Sequence, residues 1–389
     1  MSKFVYADHA ATTRISDAAL AAMTDSLASD WGNPFSLYRL GQAAKEALAK
    51  ARADVAACLN AAPEEIFFTS GGTESDNWAL RGVAERETKK GRHIVTSAIE
   101  HHAILHTAQH LEKQGYEVTL LPVDAMGRVS PEALRAALRD DTILVSVMAA
   151  NNEVGTIQPV KELAAIAHQA GALFHTDAVQ AVGHIHVDVK EWGVDLLSLS
   201  GHKFHGPRGV GALFIRKGLR LPPLIYGGGQ ERGHRAGTEN VAGVVGMAAA
   251  LREAVEHRSV QADRLTGLRR RLAAGLEDLP RARMTGDPEH RLPGLASFIF
   301  EGIEGESLLL LLDAKGICAS TGSACSSTSL EPSHVLLALG LPHEIAHGSL
   351  RLSLGKDTTE ADVDYVIENV RGTVERLRAM SPIWEERED

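Results

Sequence analysis

Cys325 sits within the stretch STGSACSSTSLEPS, residues 320–333. Its neighbours Gly322, Ser323, Ala324, Ser326, Ser327, Thr328 and Ser329 are small or polar, and Pro332 marks the far end. Such a segment has little apolar surface to bury, so it is expected to form a mobile loop that keeps Cys325 away from the rest of the site at rest. A thiolate that can travel can take an atom at one place and hand it on at another. Cys58, in the helical pattern around Ala47 to Leu59, and Cys318, in the apolar stretch AKGICAS, read instead as small structural hydrophobes. These three cysteines show no CxxC spacing, which supports neither a disulfide framework nor a Cys-rich zinc site.

Asp177 follows the apolar run ALFHT, and Lys203 follows LLSLSGH. In a parallel sheet the carboxyl ends of the strands open on one crevice, so an acid and an amine meet there. That pair matches what pyridoxal phosphate requires, an acid to keep the pyridine nitrogen protonated and an amine for a Schiff base. Gln180, Ser200 and His202 lie beside them with donors suited to a phosphate and a phenolic oxygen. The segment FFTSGGTESDN, residues 67–77, reads as a strand, two glycines, and a helix opened by Thr73 and Glu74. Glycines let a backbone approach a ligand closely, and the free N–H groups of a first helical turn attract an anion. Taken alone, the same join is also an ordinary tight turn, and no GxxxxGK[ST] P-loop occurs. His101, in TSAIEHHAILH, follows another strand end and could lay its ring against a flat cofactor. His102, His106 and His110 continue from it as a solvated helix face, since no Cys or carboxylate nearby completes a metal set.

The elements that must position these residues are legible as alternating patterns. Apolar runs at 64–70, 92–98, 117–123, 142–148, 172–178, 195–200 and 211–215 alternate with helix-like segments. This predicts an α/β fold with a largely parallel sheet covered by helices. From about Arg252 the pattern changes to a long charged helix through Glu277, the apolar runs SFIF and SLLLLLDAKG, and a closing helix near Asp362 to Met380. That tail predicts a smaller α+β domain, completed by the first few residues of the chain. The glycine-dense stretch Gly227 to Gly237 reads as a functional loop.

A formal net charge of -10 offers no basic field for nucleic acid or anionic lipid, so neither is an expected partner. The N-terminus lacks a signal-peptide pattern and no apolar run, the leucines Leu308 to Leu312 included, is nearly long enough to span a bilayer, which predicts a cytoplasmic protein. PHEIAH, ending at His347, contains the HExxH signature of zinc peptidases. Gly348 follows at once, where a ligand helix should continue, and no metal site is expected there.

Taken together the residues resemble the cysteine desulfurases among the fold-type I pyridoxal-phosphate enzymes, in the branch serving iron-sulfur cluster and nitrogenase assembly. The resemblance covers nearly the whole chain. Its marks are ADHAATT at 7–13, GNP at 32–34, FTSGGTESDN at 68–77, IEHHA at 99–103, NNEVG at 151–155, HTDAVQ at 175–180, SGHKFHGPRGVGAL at 200–213, GGGQERGHRAGT at 227–238, STGSACSS at 320–327, LEPS at 330–333 and LRLSLG at 350–355. It implies a class-V aminotransferase architecture with a cofactor-binding large domain over 13–256. A small domain, 1–12 with 257–389, would carry the catalytic cysteine loop. It also implies roles for single residues. Lys203 is similar to the Schiff-base lysine, Asp177 to the partner of the pyridine nitrogen, His101 to the ring-stacking catalytic residue, and Gln180 and Asn152 to contacts of the ring oxygen. Gly72, Thr73, Ser200 and His202 match the phosphate cup, and Thr238 a phosphate contact from the second subunit of a homodimer. Arg351, with Asn152, matches the clamp for the substrate carboxylate, and Cys325 the nucleophile that becomes a persulfide.

The activity implied is removal of sulfur from L-cysteine, giving L-alanine and a persulfide passed to an acceptor protein or scaffold. A selenocysteine lyase shares this layout and differs in the chalcogen accepted. Retention of Lys203 and Cys325 argues against a non-catalytic binding subunit. Gly72, Val179 and His205 differ from the family's common side chains, and SPIWEERED follows the family's ending only through SPIWE. Relatives that dock a cluster scaffold often carry a longer tail there, and the resemblance implies nothing about docking by that route.

Overall fold

The computed structural model of the chain describes residues 3–322, 331–381 and 384. All seven apolar runs become strands of one sheet. Across it they lie in the order Ile66–Thr69, Gly211–Ile215, Leu196–Ser200, Leu173–Asp177, Thr142–Ser146, His93–Ser97 and Glu117–Leu121. Six of them share one direction. Gly211–Ile215 alone runs antiparallel to its two neighbours, because only a short turn returns the chain from Ser200. The inner strands are buried on both faces, which is why they read as near-continuous apolar runs rather than as alternating ones. Since the parallel strands end on the same side, Asp177, Ser200 and the turn after Thr69 meet at one edge.

The later part of the chain forms an antiparallel sheet in which Leu295–Phe300 lies between Ser349–Ser353 and Ala282–Thr285. The chain start joins it. Val5–Tyr6 pairs parallel with Ile317–Cys318, and Asp8 bridges to Ser353. The charged helical pattern beginning near Arg252 is the second half of one helix, Val241–Leu276, of 36 residues and thus about 54 Å long. Its first turns place Val244, Met247 and Leu251 in the core beneath the seven-stranded sheet. Its last turns place Leu265, Leu268, Leu272 and Leu276 in a second core with Phe298, Phe300, Leu350 and Val366. One rigid element is therefore shared by both cores. Among the described residues no helix is long and apolar enough to cross a membrane.

Candidate active site

A cavity of about 280 Å³ opens where the strand ends converge, walled by Gly72, Thr73, His101, Asn152, Asp177, Gln180, Ser200, His202, Lys203 and Arg351. Ten of the twelve residues singled out by sequence thus come together. Thr238 does not line it and stands exposed in its own loop, and Cys325 lies outside the described residues.

One wall is the start of the helix Gly72–Arg86. Gly71 precedes it with φ 149°, a conformation suited to glycine, and no side chain caps the helix, so its first N–H groups remain as donors toward an anion. A Cβ at Gly72 would lie 2.7 Å from Val179 Cγ2. Two of the unusual residues in this chain, Gly72 and Val179, are therefore in contact, and the larger side chain of one occupies the space left by the other.

The floor is ionisable. Asp177 is buried and its Oδ1 accepts from Val179 N at 2.9 Å. Burial raises its pKa to about 6, against the lowering effects of that N–H and of the Lys203 charge. Asp76 is more deeply buried, and burial with the nearby Asp177 charge holds its carboxyl well above the usual range, so Asp76 keeps the proton of the two. Beneath them His175 contacts Ser146 Oγ at 2.8 Å and Ser198 Oγ at 3.0 Å, and burial lowers it to about 3, which leaves it neutral. His101 caps the helix His102–Glu112 by accepting from Ala103 N through Nδ1 at 3.1 Å. Burial first, then the Lys203 charge, lower its pKa to about 4. A neutral ring that accepts at Nδ1 carries its proton on Nε2. His202 is lowered to about 4 by burial and the charges of Lys203 and Arg208.

A segment to which the sequence assigned no roles crosses the cavity. Lys203 Nζ donates to Ala10 O at 2.6 Å and Ala11 O at 2.8 Å, and Gln180 Nε2 donates to Ala10 O at 2.8 Å. His202 Nδ1 meets Thr12 Oγ1 at 3.1 Å, and Arg351 Nη2 donates to Asp8 Oδ1 at 2.9 Å. These contacts span more than 160 positions, so no local spacing announces them. The motif ADHAATT was their one signal.

The donor set fits pyridoxal phosphate: an open helix N-terminus for the phosphate, a buried acid for the ring nitrogen, and a lysine amine within the same cavity. The Aminotransferase class-V family matches residues 5–366. The cysteine desulfurase IscS of Methanosarcina thermophila is 56% identical over 98% of this chain and 95% of its own length. The protein of the same name from Clostridium botulinum strain Hall is 54% identical over 99% of this chain and 98% of its own. The chain belongs to the cysteine desulfurases of the class-V aminotransferase family. A solved NifS-like protein, 44% identical, superposes with a TM-score of 0.91 over 96% of this chain and all of its own. Fold-type I architecture and pyridoxal-phosphate dependence follow from that membership.

The PHEIAH stretch gives the rival reading no support. His343–Ala346 is a single helical turn, with the His343 and His347 rings edge to face at 4.7 Å. A peptidase needs both histidines on a helix long enough to aim them at one ion.

Proposed function

We propose that this chain removes sulfur from L-cysteine, releases L-alanine, and carries the sulfur as a persulfide on Cys325. The observation that supports this most is the meeting of Lys203, Asp177, His101 and Arg351 at one cavity of about 280 Å³. In this reading Gly72, Thr73, Ser200 and His202 hold the cofactor's phosphate, and Asn152 and Gln180 its ring oxygen. Pyridoxal phosphate, when bound, supplies an electron sink beside the substrate's Cα, with Asp177 keeping the ring nitrogen protonated.

The chain's own residues do the rest. Arg351 binds the substrate carboxylate through its planar charged fork. Lys203 takes and returns the proton at Cα. Neutral His101 packs against the ring and has its Nε2 proton to exchange. The Cys325 thiolate attacks the substrate sulfur. An S–S bond forms, the Cβ–S bond breaks with its electron pair left on carbon, and protonation of that carbon gives L-alanine. Among the other thiols, burial pushes Cys58 up to about 11 and also raises Cys318, so neither is a ready thiolate. Lys203→Ala is expected to bind L-cysteine without turnover, and Cys325→Ser to release neither alanine nor sulfide at a useful rate. Near-normal alanine release by either variant would defeat the assignment.

The working unit in this reading is a homodimer in which Thr238 serves the partner's phosphate site. Supporting it, the exposed stretch after the first helix carries four large apolar side chains, Trp31, Phe35, Leu37 and Tyr38, at 72%, 56%, 94% and 59% exposure, and grouped exposed apolar side chains are a mark of interaction surfaces. The division into 13–256 and 1–12 with 257–389 is part of the same proposal. The persulfide passes to a sulfur-accepting protein, and the IscS relatives point to iron-sulfur cluster assembly as its use.

A further inference from the structure

Arg351 is 2% exposed, on the strand Ser349–Ser353, with its backbone bonded in both directions to Ser320. Its guanidinium is held from two sides. Nη1 donates to Asn152 O at 3.0 Å, and Nη2 donates to Asp8 Oδ1 at 2.9 Å. Its Nε is buried with no acceptor. Asp8 is itself fixed, for its backbone bridges to Ser353 and its carbonyl accepts from Tyr6 Oη at 3.1 Å and from Ala11 N at 3.0 Å.

An arginine on its flexible stem can present five donors in many directions. Here a carbonyl on one side and a carboxylate on the other select one pose. These two contacts engage two of its five donors, and Arg351 lines the cavity where a substrate carboxylate would arrive. We propose that Asp8 is a positioning residue for the substrate carboxylate: it holds the Arg351 guanidinium against Asn152 O in the pose that captures a carboxylate, and so sets the preference for amino acids over plain amines. This rests on reading Arg351 as the carboxylate clamp.

The test uses holoenzyme and two amine probes, L-alanine, which has a carboxylate, and cysteamine, which has a thiol and no carboxylate, with dissociation constants measured by titration calorimetry. Asp8→Asn is expected to weaken L-alanine by roughly tenfold or more, the scale of a misplaced binding group, while cysteamine changes by less than about twofold. KM for L-cysteine rises in parallel, and kcat at saturation changes by less than about threefold. In an Arg351→Gln background Asp8→Asn adds nothing further, because the two act through one contact. Asp8→Glu, which keeps the charge on a longer stem, falls between parent and Asn variant. It decides the matter alone if Asp8→Asn does not fold, an unchanged preference then counting against the proposal. Unchanged, tightened or equally weakened binding of both probes in Asp8→Asn overturns it. If Arg351→Gln itself keeps the preference, the clamp reading falls and this inference with it. If Arg351→Gln loses the preference and Asp8→Asn retains it, only the role of Asp8 is overturned.

Discussion

Gly72 and Val179 show how far single residues could be read from sequence. Each was visible as a departure from the family's usual side chains, but their contact could not be, because Gly72 opens a helix and Val179 follows a strand more than one hundred residues later. Gly72→Ala places a methyl 2.7 Å from Val179 Cγ2, an overpacking that costs about 1 to 3 kcal/mol in a tight site. The expected result is weaker cofactor retention by Gly72→Ala, recovered in the double variant with Val179→Ala. Equilibrium dialysis against pyridoxal phosphate measures it, and independent effects of the two changes would contradict the pairing.

Glu100 carries a second consequence of burial. Its carboxyl is raised to about 8, chiefly by desolvation, against the lowering contacts with Ser97 and Met148 N–H. The unfolded chain ionises near the usual carboxylate value while the folded one holds its proton, so stability falls as pH rises from about 4.5 to 8 and levels off above. Glu100→Gln, a neutral mimic of the protonated acid, should lack that fall and gain about 2 kcal/mol or more relative to the parent between pH 5 and 8.5. Parallel melting-temperature profiles of parent and variant would rule this out.

At the scale of elements, the seven strands and the helices between them followed from apolar run length and alternation. The direction of Gly211–Ile215 did not, because orientation depends on how the connection returns and not on the residues within the strand. Nor did the continuity of Val241–Leu276, since its exposed middle around residues 252–264 has the polar face of a free-standing helix.

The glycine-dense stretch was legible as a loop, and the structure shows what anchors it. Glu231, at φ 45°, is buried, pairs with Arg52 at 2.6 Å and accepts from Phe68 N at 3.0 Å. Arg235 pairs with Glu74 at 2.8 Å beside the helix start. The loop is thus tied to the strand Ile66–Thr69 and to the start of the helix Gly72–Arg86, with Thr238 left exposed beyond it. If Thr238 serves the partner, a mixture of Lys203→Ala and Thr238→Ala chains refolded together should regain activity at limiting cofactor. One site of each mixed dimer then has both residues intact. No gain over the separate variants would mean that each chain supplies its own Thr238 or none.

For the whole molecule, the crevice at the carboxyl ends of the strands was predictable from the α/β pattern, and most of the site's walls could be named in advance. The crossing of the N-terminal segment could not, because it joins chain positions 8 and 351 through an ion pair that no periodicity encodes. The account finally depends on Cys325, which lies outside the described residues and whose role is argued from its small polar neighbours and from the raised thiols of Cys58 and Cys318. The most direct measurement is peptide mass spectrometry of the holoenzyme after brief exposure to L-cysteine, with free thiols and persulfides alkylated. One added sulfur on the peptide containing Cys325, absent in Lys203→Ala, is the predicted result. Sulfur found only on the peptides of Cys58 or Cys318, or on Cys325 to the same extent in Lys203→Ala, would contradict it.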